Sequence, residues 1–214
     1  MNTFSLLVLI IYVTITVYVV YKARESVVEE QEKRQQEALD GKVVLSLENA
    51  KLQADLDRQI EEMDLQGAIA IQVLHNPLIE ISQFTSLALE MENKTSTYAV
   101  YVDWKQSSLT TLQGAAQELA CLTPNLGQSQ SPSLLPPNDK LRETFRIATA
   151  DGEMMHLVPP GLLLKFLAKK IPCTVLLRLV LKLQEVGRYQ NSYLVVVTCP
   201  LSFRLPTLQD LPRR

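Results

Sequence analysis

The chain has 214 residues, which is room for one ordinary domain with additions, since domains usually span on the order of 100 to 200 residues. Apolar side chains make up 47% of the residues and charged ones 21%, a balance close to the globular average and sufficient for a core. With 21 Lys and Arg against 23 Asp and Glu, the net charge is -2, so no long-range positive field favours nucleic acid.

The N-terminal segment is predicted to be a transmembrane helix. Residues 4–21, FSLLVLIIYVTITVYVVY, are uncharged and would rise about 27 Å as a helix, enough to cross a hydrocarbon core. A cleaved signal peptide is disfavoured, because Met-Asn-Thr is not a basic n-region and no small-x-small cleavage site follows. The predicted anchor residues are Phe4, Leu7, Ile10, Tyr12, Val17, Tyr21, Lys22 and Arg24.

Lys22 and Arg24 also determine the predicted orientation. Positive residues that flank a span are retained on the cytoplasmic side. The N-terminus is therefore expected outside and the C-terminal domain in the cytoplasm, with the lipid bilayer as one partner. Three cysteines, an odd number, agree with a reducing compartment.

Residues 22–66 are predicted to form a charged helical stalk, because the segment is rich in Gln and Glu and contains no proline. An apolar stripe follows one face of its second half: Leu45, Leu52, Leu56, Ile60 and Met63. Two interpretations stay open. Either the stripe is a short coiled coil, with Asn49 fixing the register and the chain self-associating there, or the helix packs against its own domain.

After Gly67 the sequence pattern changes to short strands. Apolar and polar residues alternate in residues 87–92 and again in residues 98–104, as in strands with one buried face. Turn-forming residues 93–96 separate these two segments. The pattern predicts a β-hairpin.

The same alternation of apolar and polar residues predicts a strand at residues 175–184. Residues 193–199 are rich in β-branched side chains and predict a further strand that ends at Pro200. Weaker strands are predicted at residues 68–75, 78–82, 118–122 and 143–148. Residues 161–171, GLLLKFLAKKI, lie between prolines and predict a short helix. This helix either packs on the domain or lies on a lipid surface.

The stripe of the stalk and the short helix together supply the predicted partner-binding or membrane-binding surface. Its residues are Leu45, Leu52, Leu56, Met63, Leu163, Phe166, Lys169 and Lys170.

The strand pattern of residues 67–206 resembles immunoglobulin-like β-sandwich domains, and among them small, uncharacterised single-pass membrane proteins that carry such a domain. The resemblance rests on the segments SLALEMENKTSTYAVYVDW, LPPND and VVVTCPLSF. It implies a mainly β fold with an antiparallel sandwich. The antibody-type order Cys, Trp, Cys is not met, because Trp104 precedes Cys121, so no disulfide is implied. The expected organisation is an anchor at 1–21, a stalk at 22–66, a sandwich with one short helix at 67–206 and a tail at 207–214.

No sequence motif points to catalysis, a metal or a nucleotide. His75 and His156 stand apart, the cysteines have no CxxC spacing and the seven glycines form no phosphate-binding loop. Asp103 and Trp104 alternate in direction, which places the indole in the core. Asn93 begins an N-glycosylation acceptor, although a turn explains the same residues. We therefore expect neither an enzyme nor a cofactor.

This organisation predicts a membrane-anchored interaction or assembly module, as a subunit of a membrane complex, with other membrane or cytoplasmic proteins as partners. The alternative is a domain that binds lipid or another apolar ligand at the membrane surface. Nucleic acid is not an expected partner.

Overall fold

The computed structural model of the chain describes residues 18–19, 21–22, 24, 39–123, 127–149, 155–187 and 192–210. The chain divides into two compact units. The smaller unit comprises Met1–Asp40 and Thr207–Gln209, and the larger comprises Gly41–Pro206 and Asp210–Arg214. All strands described below belong to the larger unit.

The predicted transmembrane anchor is the first point at which the structure differs. Phe4, Leu7, Ile10, Tyr12 and Val17 lie outside the described residues, whereas Tyr21, Lys22 and Arg24 are helical. Among the residues that the structure describes, no helix has both the length and the apolar character needed to cross a membrane. This finding contradicts the prediction of a single-pass membrane protein with its N-terminus outside and a cytoplasmic C-terminal domain.

The larger unit is built mainly from antiparallel strands, which confirms the prediction of a mainly β fold with an antiparallel sheet. The strands are β1 Lys42–Leu47, β2 Ile69–Leu74, β3 Leu78–Glu80, β4 Leu87–Asn93, β5 Tyr98–Val102, β6 Ser108–Thr110, β7 Ala116–Thr123, β8 Gly127–Ser129, β9 Ser133–Leu135, β10 Asp139–Ile147, β11 Cys173–Glu185 and β12 Ser192–Arg204. The α-helices are α1 Asn49–Gln59 and α2 Pro160–Ala168. Short 3-10 helices lie at Glu61–Met63, Ile81–Gln83 and Leu208–Asp210.

The strands form one continuous sheet with two sections. In the first section β3, β1, β12 and β11 are neighbours, β5 and β6 both pair with β11, and β9 pairs with β5. The second section has the order β2, β4, β10, β7, β8. Strand β7 joins them, because its residues 116–118 pair with β6 and its residues 119–122 pair with β10.

The two sections enclose a single core. Alternate side chains of β4 and β11 are buried, as the two-residue period of a strand requires. Trp104, which follows β5 in the first section, stacks on Phe145 of β10 in the second, with ring centroids 5.6 Å apart. The indole also donates a hydrogen bond of 2.7 Å from Nε1 to Ser133 Oγ. Burial of Trp104 was predicted from the alternation of residues 98–104.

The predicted hairpin is wrong in its pairing, although both of its strands exist. Strand β4 pairs with β2 and β10, whereas β5 pairs with β11 and β9. Residues 94–97 therefore carry the chain from one section of the sheet to the other.

Pro200 does not end β12, which continues to Arg204. Proline is tolerated in a strand where no ladder hydrogen bond requires its missing N–H. Pro200 lies opposite Leu176 of β11, and the pairing of β1 with β12 reaches only from Leu201 to Arg204. The strand therefore passes through the proline beside the end of β1.

Helix α1 lies between the edge of β2 and the edge of β12, a gap that we call the seam. Asn49, at the start of the helix, makes two hydrogen bonds to the main chain of Val73 in β2. Its Nδ2 donates to the Val73 carbonyl at 3.0 Å, and its Oδ1 accepts from the Val73 N–H at 2.9 Å. One turn later, Gln53 donates to the Ile69 carbonyl at 2.9 Å and accepts from the Ile71 N–H at 2.9 Å. These two amides repeat the donor and acceptor pattern of a neighbouring strand.

The other flank of α1 makes equivalent contacts with β12. Gln59 donates to the Val196 carbonyl at 2.6 Å and accepts from the Val196 N–H at 3.0 Å. Asp55 accepts from the Thr198 N–H at 3.2 Å. Side chains of one helix thus satisfy main-chain groups on both edges of the seam.

The helical stalk and the coiled coil are not upheld. Residues 42–47 form strand β1, in which Leu45 is buried. Leu52 and Leu56 of α1 are also buried in the core of the same domain, and Met63 is partly buried against it. The apolar stripe is therefore used internally, and Asn49, expected to fix a coiled-coil register, pairs with β2 instead.

Replacement of a seam amide should destabilise the fold. We expect Gln53→Ala to lower the free energy of unfolding by about 1–3 kcal/mol, because two part-buried main-chain groups of β2 lose their partners. Lys51→Ala, which removes an exposed side chain from the same helix, should change it by less than about 0.5 kcal/mol. Urea titration followed by Trp104 fluorescence measures both values. Equal stabilities of the two variants would contradict the role of the seam.

Candidate functional site

The residues predicted to form a binding surface are mostly internal. The apolar face of α2 packs into the core, with Leu163 buried and Phe166 partly buried, as are the leucines of β1 and α1. Lys169 and Lys170 follow the helix and are exposed. The structure therefore leaves the two lysines of this set, but not its leucines, on the surface of the described domain.

The two histidines are not brought into one site. His75 is half-buried and donates from Nε2 to the Leu45 carbonyl at 3.1 Å, so its other ring nitrogen remains an acceptor when the ring is neutral. It lines a cleft of about 490 Å³ together with Lys42, Glu80 and Thr144. His156 does not line this cleft, and its buried Nδ1 makes no hydrogen bond in the structure.

Metal binding and thiol chemistry have no assembled site in the described part of the chain. No three His, Cys, Asp or Glu side chains converge there as metal ligands. Cys121, Cys173 and Cys199 are all buried and form no disulfide. Burial raises the pKa of the Cys173 and Cys199 thiols. Since the thiolate is the nucleophile, both groups are poorly reactive in the folded chain.

Asn93 is a structural residue at the crossing from β4 to β5. Its side chain is buried, and Nδ2 donates to the carbonyls of Tyr98 at 2.8 Å and Pro136 at 3.0 Å. Its Oδ1 accepts from the N–H of Thr95 at 3.1 Å and from the Thr95 hydroxyl at 2.8 Å. A glycan on Nδ2 would disrupt these contacts, so the sequence motif is explained by this corner.

A row of outward-facing side chains crosses four neighbouring strands of the first section. In the register, Leu134 of β9 lies opposite Tyr101 of β5, Tyr101 opposite Lys182 of β11, and Lys182 opposite Leu194 of β12. We call these four residues the outer row. Leu134 is 49% exposed and Leu194 is 62% exposed, while Tyr101 is half-buried.

The outer row is a surface that could bind another protein. Directly opposite side chains on adjacent strands lie within about 5 Å of each other, so the row forms one strip and not scattered residues. Lys182 is its one charged member. Strand alternation in the sequence predicts that Tyr101 and Lys182 point outward, but the exposure of Leu134 and Leu194 follows from the strand register, which the sequence does not show.

No protein-family model matches the chain, and no curated protein matches it. Solved structures with some likeness include a PapD-like domain of human CEP192 (TM-score 0.31, 9% identity, 60% of this chain and 80% of that one). A second is the fimbrial subunit MyfA from Yersinia enterocolitica (TM-score 0.31, 11% identity, 62% of this chain and 98% of that one). A third is a protein from Archaeoglobus fulgidus (TM-score 0.33, 9% identity, 64% of this chain and 96% of that one). These TM-scores are too low to assign a shared fold or function.

Loss of the Asn93 amide should be costly. We expect Asn93→Ala to lower the free energy of unfolding by about 2–4 kcal/mol, because buried carbonyls of two segments lose their donors together. Asn93→Asp, which keeps the shape but has no N–H to donate, should also destabilise the chain. Lys94→Ala at the exposed neighbouring position serves as the control. Thermal unfolding followed by circular dichroism would reject this role if all three variants matched the unmodified chain.

Proposed function

We propose that the chain is a non-enzymatic interaction or assembly module that binds a partner protein through the outer row. The observation that carries this proposal is the alignment of Leu134, Tyr101, Lys182 and Leu194 across four hydrogen-bonded strands. Single exposed apolar residues are ordinary, whereas contiguous apolar exposure is typical of binding surfaces.

The strands beneath the outer row favour rigid presentation. Strand β11 pairs with β12 from Cys173 to Gln184 and with β5 from Leu181 to Glu185. The inward neighbours of the row, such as Val100 and Leu181, are fully buried. A surface held in this way loses little conformational freedom on binding, which favours affinity.

The chemistry of the outer row indicates the kind of partner. Two leucines and a tyrosine fit an apolar patch of another protein, and the Lys182 ammonium fits an Asp or Glu beside that patch. The aliphatic stem of Lys182 extends the apolar strip while its charge stays in water. Electrostatic matching of this type contributes mainly to specificity and to the rate of association.

Binding of an apolar ligand has less support than binding of a protein. The leucines Leu163 and Leu167 of α2, which would have contacted such a ligand, are buried in the core. The cleft beside His75 is lined by polar groups, including Lys42 and Glu80, as well as by apolar ones. These residues therefore do not form a purely apolar pocket.

Substitution in the outer row should abolish partner binding. We expect the double variant Tyr101→Glu with Leu134→Glu to lose the partner that the unmodified chain captures from a lysate of its native cells. Gln72→Glu, an exposed position on the second section, should retain it. Lys182→Glu should weaken capture at least about tenfold, and Lys182→Arg should preserve it, if the partner supplies a carboxylate.

Capture is read by mass spectrometry with equal amounts of each folded variant, checked by circular dichroism. An unchanged set of captured proteins with the double variant would overturn the proposed function.

A further inference from the structure

A second exposed surface lies at the C-terminal end of α2. Lys165 and Lys169 are four residues apart, so they lie on the same side of the helix, and Lys170 follows directly. All three lysines are exposed. Two apolar side chains of the same segment are also exposed, Leu164 to 40% and Ile171 to 42%. We call these five residues the lysine surface.

The positive charge of the lysine surface is not balanced by the residues that the structure describes. Residues 155–184 include five Lys and Arg residues and no Asp or Glu, although the net charge of the whole chain is -2. None of the three lysines forms an ion pair with a described residue. By contrast, Lys51 and Lys140 each lie 3.3 Å from a Glu carboxylate. The charge at the end of α2 is therefore available to an anionic partner.

The backbone of Lys170 is in a conformation that favours glycine. Its φ is 56°, in the left-handed region, where a Cβ atom is crowded. The Lys170 N–H donates to the Leu167 carbonyl at 2.9 Å, and the Ile171 N–H donates to the Phe166 carbonyl at 3.0 Å. This is the Schellman pattern of a helix end, in which the left-handed residue is usually glycine. The other described residues with positive φ are all Gly, Asn or Asp. A lysine at this position indicates a use for its ammonium group.

The helix dipole does not account for the whole lysine surface. A cation near the last turn is favourable, because the last carbonyls of a helix carry a partial negative charge. Lys169, the C-cap residue, already supplies that cation. The dipole requires neither a second lysine in the strained position nor the exposed Leu164 and Ile171 beside it.

We propose that the lysine surface binds an acidic segment of a partner protein, one in which Asp or Glu residues lie among apolar ones. The carboxylates pair with the three ammonium groups, and the apolar side chains cover Leu164 and Ile171. Charge matching of this kind raises the rate and the specificity of association. The site is distinct from the outer row, because Lys182 lies roughly 30 Å along β11 from Cys173, the first residue of that strand.

A protein segment fits the lysine surface better than an anionic membrane does. A helix that lies on a bilayer inserts a continuous apolar face among the lipids. In α2 the residues of that face are used internally, since Leu163 and Leu167 are buried in the core and Phe166 is partly buried against it. Leu164 and Ile171 leave little area for insertion, but they are sufficient to contact the side chains of a peptide.

Fluorescence anisotropy with the purified full chain tests this inference. The probe is a labelled random copolymer of glutamate and leucine, which presents many spacings of charge, and a copolymer of lysine and leucine is the control. We expect only the first to bind. Lys165→Glu with Lys169→Glu should weaken its binding at least about tenfold. Lys94→Glu with Lys105→Glu makes the same change in net charge at exposed positions outside α2 and should leave the binding unchanged.

The variant Lys170→Gly separates binding from folding. Glycine relieves the crowding at the left-handed position, so the midpoint of thermal unfolding should rise. Loss of one ammonium group should nevertheless weaken copolymer binding about threefold. A purely structural role for Lys170 would leave the binding unchanged.

A chain that does not bind the glutamate copolymer would overturn the inference, as would equal losses in the two double variants. Binding only to vesicles of phosphatidylserine would assign the surface to lipid and would also overturn it. The titrations are repeated in the variant Tyr101→Glu with Leu134→Glu, in which the outer row is disabled, and the same losses are expected. Failure of this inference therefore leaves capture through the outer row untouched, and failure of that capture leaves the lysine surface.

Discussion

The fold depends on the way in which one helix replaces a strand at the seam. A sheet that ends at an open edge leaves N–H and carbonyl groups without partners, and each such group costs about 1–3 kcal/mol when it is shielded from water. In this chain Asn49, Gln53 and Gln59 provide both a donor and an acceptor to the strand beside them. Without these amides the edges of β2 and β12 would face each other across a gap that their main chains do not close by direct pairing.

The residues of α1 face three different parts of the domain, namely β2, β12 and the core. Residues spaced by four, Asn49 and Gln53, face β2, whereas Asp55 and Gln59 face β12. Between these flanks the buried side chain of Leu56 faces the core. A helix with this pattern is mostly polar by composition and therefore looks like a solvated stalk, although its polar residues are used in hydrogen bonds to the sheet. This explains why a charged segment belongs to the domain and is not an extension of it.

Much of the sheet could be predicted from local pattern, because the two-residue period of β11 and the prolines around α2 are local signals. The errors come from contacts distant in sequence. Asn93 bonds to Pro136, and this contact directs β5 away from β4. Leu45 fitted a helical stripe, but pairing with β12 makes it part of a strand. The candidate site follows the same division, since the outward direction of Tyr101 and Lys182 is local and the exposure of Leu194 is set by where α1 ends.

The seam also reaches the strand that carries one end of the outer row, because α1 bonds to β12 as far as Val196, and within the described residues no side chain of α1 bonds to the main chain of Leu194. The most direct test is hydrogen exchange measured amide by amide in the monomeric chain. If α1 acts as a substitute strand, the amides of Ile71, Val73 and Val196 exchange as slowly as those bonded between strands, while the amide of Leu194 exchanges quickly. Rapid exchange at Ile71, Val73 and Val196, at the rate of an uncovered edge, would contradict the account.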